Sequence, residues 1–137
     1  MNVLSFLKPT HEVILLYSDD TLKHALEVMT KHRFTSIPVI DHTNNYVGTL
    51  TEGDILHFIL KRIDCLNEDK MEKLFVTDIK RHRDYETISV NATMPLLLSK
   101  AKNENFVPVL DQNDKFIGIV TRKKLIEYFF DHNFMVL

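Results

Sequence analysis

Two stretches decide the fold: Ser36-Ile37-Pro38-Val39-Ile40-Asp41 and, after a short polar gap, Tyr46-Val47-Gly48-Thr49-Leu50-Thr51-Glu52-Gly53-Asp54-Ile55-Leu56. Seventy positions later the chain reads Val107-Pro108-Val109-Leu110-Asp111, then Phe116-Ile117-Gly118-Ile119-Val120-Thr121, then Leu125-Ile126. Pro, Val, Asp, Gly and Thr fall in register in both copies. Self-similarity at a fixed shift marks a repeated structural unit. Upstream the shift becomes 72, with Thr21-Leu22 answered by Thr93-Met94, Ala25-Leu26 by Leu97-Leu98 and Lys8 by Lys80. The second copy is therefore two residues shorter before its Phe106-Val107-Pro108-Val109 segment. The loss is expected where a helix hands over to a strand, because connections tolerate deletion best.

Each copy has the same local reading. In the first, Leu15 to Tyr17 is a strand, and Thr21 caps a helix over Leu22 to His32 whose Leu22, Ala25, Leu26 and Met29 follow helical spacing. Ser36 to Ile40 and Tyr46 to Leu50 are strands joined by a polar turn, a hairpin-like unit. A second helix runs from Gly53 to Arg62. The second copy repeats the order: a strand over Thr87 to Val90, a helix over Thr93 to Lys102, strands over Phe106 to Leu110 and Phe116 to Val120, and a helix from Lys123. Asp64 to Glu72 reads as a linker, with Met71, Leu74 and Phe75 suggesting a short helix. The expected class is α+β: two βαββα repeats, 1–66 and 67–137. A half of this size leaves a sheet face it cannot cover, so the halves are expected to pack face to face about a pseudo-twofold axis with two clefts between them.

Composition fits a soluble globular chain. Of 137 residues, 45% are hydrophobic and 26% charged, and a chain this long buries roughly two-thirds of its unfolded surface without disulfides or metal. The formal charge of −2 gives no general pull toward nucleic acid. A single cysteine, Cys65, fits a reducing compartment. No apolar run reaches the roughly 18 residues a membrane span needs, and Met1 to Lys8 does not read as a signal peptide. A cytoplasmic location is expected.

The run Thr21-Leu22-x-x-Ala25-Leu26, Ser36-Ile37-Pro38-Val39-Ile40-Asp41, Val47-Gly48-Thr49-Leu50-Thr51-x-x-Asp54-Ile55-Leu56 resembles the CBS domain, named after cystathionine β-synthase. Phe106-Val107-Pro108-Val109-Leu110-Asp111 and Ile117-Gly118-Ile119-Val120-Thr121-x-x-Lys124 resemble it more loosely. Together the copies cover nearly the whole chain and leave no room for a catalytic domain. The resemblance implies a pair of repeats in one module, often a disk-shaped dimer of modules, with adenosyl ligands such as AMP, ADP, ATP, S-adenosylmethionine or cyclic di-AMP. The short second copy with its Thr-Arg-Lys is similar to stand-alone bacterial CBS proteins that bind cyclic di-AMP. Such a module senses a nucleotide as a regulatory ligand and signals to a protein target.

An adenosine ligand needs apolar walls for its base, a carboxylate for its ribose diol, and hydroxyls, helix amides and cations for phosphate. Asp54 offers the carboxylate, where a charge-assisted hydrogen bond contributes roughly 1.5–3 kcal/mol, and Thr51 offers a hydroxyl at a helix start. Both residues equally suit a helix cap. Lys124 stands where the second copy would need a carboxylate, and Thr121-Arg122-Lys123-Lys124 sets three cations at a helix N-terminus, where the dipole disfavours them. An anionic ligand would explain that placement; so would a solvated basic surface. By the resemblance, the base pockets come from Val13 and Ile14 with Phe34, Thr35, Ser36, Ile37 and Pro38, and from Tyr85 and Glu86 with Asn105, Phe106, Val107 and Pro108. Phe34 and Phe106 are candidates for stacking on adenine or for the core. In family members the two sides of a cleft come from different repeats, so Phe34 to Pro38 would face Thr121 to Lys124, and Phe106 to Pro108 would face Thr51 and Asp54. One cleft is then ribose-binding and the other basic. Pro38 and Pro108, lacking an amide donor, suit a sheet edge.

Lys80-Arg81-His82-Arg83 is a second basic run, suited to phosphate, to an acidic partner or to a solvated linker. The seven histidines, at 11, 24, 32, 42, 57, 82 and 132, show no ligand spacing, and no zinc, Walker, GxSxG or GxGxxG pattern occurs. Neither a metal nor an enzyme activity is expected. The rival reading is an interaction module that uses the two basic runs without a nucleotide, although net charge argues against broad nucleic-acid binding. Apolar Tyr128 to Phe130 and Phe134 to Leu137 are core or a homodimer surface.

Overall fold

A threonine opens each long helix. Thr21, Thr51, Thr93 and Thr121 each accept, at Oγ1, the backbone N–H three residues on, from His24, Asp54, Leu96 and Lys124 at 3.1, 3.1, 3.4 and 3.1 Å. That bond satisfies one of the orphan amides of a helix start. The computed structural model describes residues 1–63 and 67–133. Cys65 and the apolar stretch at 134–137 lie outside the described residues. In chain order the elements are β1 (Lys8–Pro9), β2 (Leu16–Tyr17), α1 (Leu22–His32), β3 (Ser36–Ile40), β4 (Tyr46–Thr51), α2 (Glu52–Lys61), α3 (Glu68–Met71), β5 (Ile88–Ser89), α4 (Met94–Ala101), β6 (Phe106–Leu110), β7 (Phe116–Thr121) and α5 (Arg122–Asn133). The class is α+β, with two separate sheets. None of the described helices is long and apolar enough to cross a membrane.

The compact units cut the chain differently from repeats 1–66 and 67–137. One unit is Ile14–Asp84; the other joins Met1–Val13 to Tyr85–Leu137. In the Ile14–Asp84 unit the sheet order is β2-β3-β4, with β2 parallel and β4 antiparallel to β3. Leu16, Leu22, Ile37, Val39 and Leu50 form its core, joined by Val76 and Ile79 from beyond the first repeat. Two backbone bonds hold that later segment: Leu22 N–H to the Leu74 carbonyl and Val76 N–H to the Asp20 carbonyl, both 2.8 Å. In the second unit the order is β1-β7-β6-β5. Val3 and Phe6, from the chain's start, are buried with Ile88, Leu97, Val107 and Val120. Each repeat thus completes its core with the leading segment of the other copy.

The repeated glycines mark where those segments cross. A Cβ on Gly118, whose φ is +149°, would strike the backbone carbonyl of Lys8, and β1 pairs Pro9 with Gly118. A Cβ on Gly48 would strike the Arg81 and Asp84 side chains. Arg81 Nε donates to Asp84 Oδ1 at 2.6 Å, Arg81 Nη2 to the Val47 carbonyl at 3.3 Å, and Thr49 N–H to Asp84 Oδ1 at 3.2 Å. The hairpins match as closely. Asn44 and Asp114 both adopt left-handed φ, +65° and +60°. Asp41 Oδ1 accepts the Asn45 and Thr43 amides, each at 2.9 Å; those bonds, the Asn45 amide first, hold its carboxyl well below the usual carboxylate range.

Two expectations need correction. The shorter second copy loses its residues from the helix, not from the connection: α1 has 11 residues and α4 has 8. Arg33 ends α1 in a left-handed cap, φ 55°, and the chain turns at once into β3. Lys102 after α4 keeps right-handed φ and ψ, so an extra turn, with Asn103 N–H on the Lys100 carbonyl, precedes β6. Pro38 and Pro108 sit on central strands. They are tolerated because β2 and β5 are only two residues long and pair with Val39–Ile40 and Val109–Leu110, so at each proline the strand is locally an edge.

Candidate functional site

Within the Ile14–Asp84 unit, the antiparallel β3–β4 pairing brings together two groups that the sequence separates. Ser36 pairs with Thr51, and Glu52 N–H donates to the Thr35 carbonyl at 3.0 Å. The Phe34–Pro38 segment therefore abuts the start of α2. Phe34 is 38% exposed and its ring stacks on His32 at 5.4 Å between centroids. Ile37 and Pro38 are buried. Ile14 belongs to this unit and is exposed, whereas the buried Val13 belongs to the other.

Asp54 is 5% exposed and its carboxylate is engaged on both oxygens. Oδ2 accepts the Thr51 amide at 3.1 Å, completing a reciprocal capping box, and Oδ1 accepts the His82 amide at 2.9 Å. The cap is thus realised, and it also fastens the Lys80–Asp84 segment. A carboxylate has about four acceptor sites, and these two amides occupy two of them. Thr51 Oγ1 accepts the Asp54 amide and keeps its hydroxyl proton to donate.

A cavity of about 610 Å³ opens at this point, lined by Thr51, Gly53, Asp54, His57, Lys61, Lys80, Arg81 and His82. Its cations come from two elements: Lys61 from α2, and the basic run that the sequence placed only near the second copy. His57 and Lys61 were missed by sequence reasoning. The signal was present, since Asp54, His57 and Lys61 fall three and four apart on one helix face. A separate apolar groove of about 750 Å³ lies along α1 and α2, lined by residues including Leu26, Met29, Phe34, Leu56 and Ile59.

The second unit brings the equivalent groups together differently. Phe106 pairs with Thr121, and Arg122 N–H donates to the Asn105 carbonyl at 2.9 Å. Phe106 is 5% exposed, and Tyr85 packs on it at 4.9 Å between centroids, its hydroxyl donating to Asn105 Oδ1 at 3.1 Å. Here Phe106 is core and Tyr85 is its outer cover. Val107 and Pro108 are buried, while Asn105, Glu86, Arg122, Lys123 and Lys124 are exposed. Arg122 Nη1 reaches the Lys102 carbonyl at 3.5 Å. Lys124 lends α5 only its amide, so the cap lacks the carboxylate half that α2 has. Among the described residues no three His, Cys, Asp or Glu side chains gather as metal ligands.

Known proteins are similar to this chain in sequence and in fold. Cyclic di-AMP receptor B of Bacillus subtilis is 29% identical over 126 residues, covering 89% of this chain and 82% of that protein. The crystal structure of Listeria monocytogenes CbpB in complex with c-di-AMP superposes with a TM-score of 0.81 at 25% identity, covering 97% of this chain and 98% of that one. A further CbpB–c-di-AMP complex has the same fold, with a TM-score of 0.85 at 24% identity over 98% of this chain and 89% of that one. The CBS-domain family matches at residues 4–61 and again at 76–131. With both copies matched, the chain belongs to the CBS-domain family as a tandem pair.

Proposed function

We propose that this CBS pair is a non-catalytic regulatory module that binds an adenine nucleotide, AMP, ADP, ATP or cyclic di-AMP, and signals to a protein target. The observation that carries the reading is the cation-lined cavity at the N-terminus of α2. Lys61, Lys80 and the Thr51 hydroxyl suit phosphate. Asp54 keeps acceptor sites for a ribose diol, and exposed Phe34 and Ile14, which lie outside the residues that line this cavity, suit a base. In the second unit we assign the base side to Tyr85, Asn105 and the backbone of the buried Phe106–Pro108, and the phosphate side to Thr121–Lys124. The similarity to Cyclic di-AMP receptor B supports the cyclic dinucleotide within this set. A ligand regulates a target only through its difference in affinity for two conformations.

A homodimer belongs to the proposal. Leu56 and Leu60 on α2, and Ile126 and Phe130 seventy positions on in α5, are all more than half exposed. Matched apolar positions on both units suit a second copy of the chain, and a dimer mass in sedimentation is expected. The cytoplasm suits a chain with one cysteine.

A thermal-shift panel tests the reading. A ligand at 100 times its dissociation constant stabilises by about 2.7 kcal/mol, which raises the melting temperature by several degrees in a domain this size. The expected result is such a shift with at least one adenine nucleotide. A shift with RNA or an acidic peptide, and none with any nucleotide, would overturn it.

A further inference from the structure

We propose that nucleotide binding in the α2 cavity is proton-coupled through His57 and His82, so that affinity rises as pH falls through the imidazole range; the inference rests on the nucleotide reading above. From α2 the wall presents Asp54, His57 and Lys61; from the following segment it presents Lys80, Arg81 and His82. Arg81 is committed to Asp84 at 2.6 Å. The buried Asp54 carboxylate is held by two amides. At neutral pH the remaining fixed charges on this wall are Lys61, Lys80 and the Asp54 carboxylate, flanked by the two imidazoles. Both histidines are exposed. A phosphate anion placed among them favours the imidazolium form. An opposite charge within about 4–6 Å raises such a pKa by about 1–3 units. Binding then takes up protons, and affinity must increase on acidification.

The second unit provides an internal contrast. The places equivalent to His57 and Lys61 are Glu127 and Asp131 on α5, and the place equivalent to His82 is Thr10. Glu127 lies 4.0 Å from Lys123. None of those three equivalent places holds a histidine, so the paired imidazoles of the α2 cavity are not repeated at them.

Titration calorimetry of the full chain with cyclic di-AMP tests this, because phosphodiesters keep their charge between about pH 6 and 8. The expected result is roughly tenfold tighter binding at pH 6 than at pH 8, reduced to less than about twofold in the His57→Gln/His82→Gln variant. Each single variant should lose part of the dependence. The His82 amide bond to Asp54 does not involve its side chain, so unfolding temperatures of the variants at pH 8 should match the parent. Equal affinity at both pH values, or an undiminished dependence in the double variant, overturns the coupling and leaves nucleotide binding standing. No binding of any adenine nucleotide at either pH overturns both.

Discussion

Gly48 and Gly118 hold equivalent places in the two repeats, yet they are glycine for unequal reasons. Over Gly118 lies backbone, the Lys8 carbonyl, and φ is +149°. Over Gly48 lie the ends of two side chains, Arg81 and Asp84. Backbone in a paired strand has nowhere to go, whereas the ends of Arg81 and Asp84 can swing aside, losing their bonds to the Val47 carbonyl and the Thr49 amide. Gly118→Ala should therefore destabilise by about 2–4 kcal/mol, and Gly48→Ala by about 1–2 kcal/mol. Urea unfolding midpoints of the two variants measure the difference; equal losses would mean that β1 does not hold its place on β7. The glycines were legible in the sequence as repeat markers. Their purpose was not, because a one-dimensional repeat records that a position is constrained and not which distant segment constrains it.

The helix starts show how elements carry both stability and site. Alternation and helical spacing located the main strands and helices, in several cases to the residue, because caps such as Thr21 and Thr51 are local signals. The end of α4 was legible to within a residue of Lys102; that the shorter copy loses its residues from this helix was not, because a missing left-handed cap changes where a helix stops without changing its apolar spacing. The site divides in the same way. Thr51 and Asp54 were readable from their spacing, but the meeting of Asp54 with the His82 amide depends on a contact spanning 28 residues. The two start sequences, Thr51-x-x-Asp54 and Thr121-x-x-Lys124, also differ in energy. Lys124 puts a cation at the positive end of α5 and supplies no carboxylate to the Thr121 amide. Lys124→Asp should complete a capping box and stabilise the chain by about 1 kcal/mol. The price, if the second unit holds phosphate, is weaker cyclic di-AMP binding there. A melting temperature that falls in this variant would show that Lys124 makes a structural contact that its exposed position conceals.

At the scale of the whole molecule, the exchange of leading segments means that repeat and folding unit are different divisions of one chain. The Lys8 and Lys80 segments are themselves copies, so similarity between them cannot reveal which core each one enters. Cutting at the repeat boundary separates both cores from part of their filling. Fragment 1–66 lacks Val76 and Ile79, both at most 1% exposed in the unit they complete, and fragment 67–137 lacks Val3 and Phe6. Removing a fully buried aliphatic side chain to Ala costs about 2–5 kcal/mol, against a total stability of about 5–15 kcal/mol for an ordinary domain. Losing two such residues with their backbone bonds exhausts that margin. Fragment 14–84 keeps its sheet, its helices and its Val76–Ile79 plug, so it should unfold cooperatively by circular dichroism, while 1–66 and 67–137 alone should not. Mixed together, 1–66 and 67–137 should regain a cooperative transition, because every contact of both units is then available again. A cooperative 1–66 on its own would show that the first repeat closes its core without the borrowed segment, and the exchange would then be an accessory to the fold and not its condition.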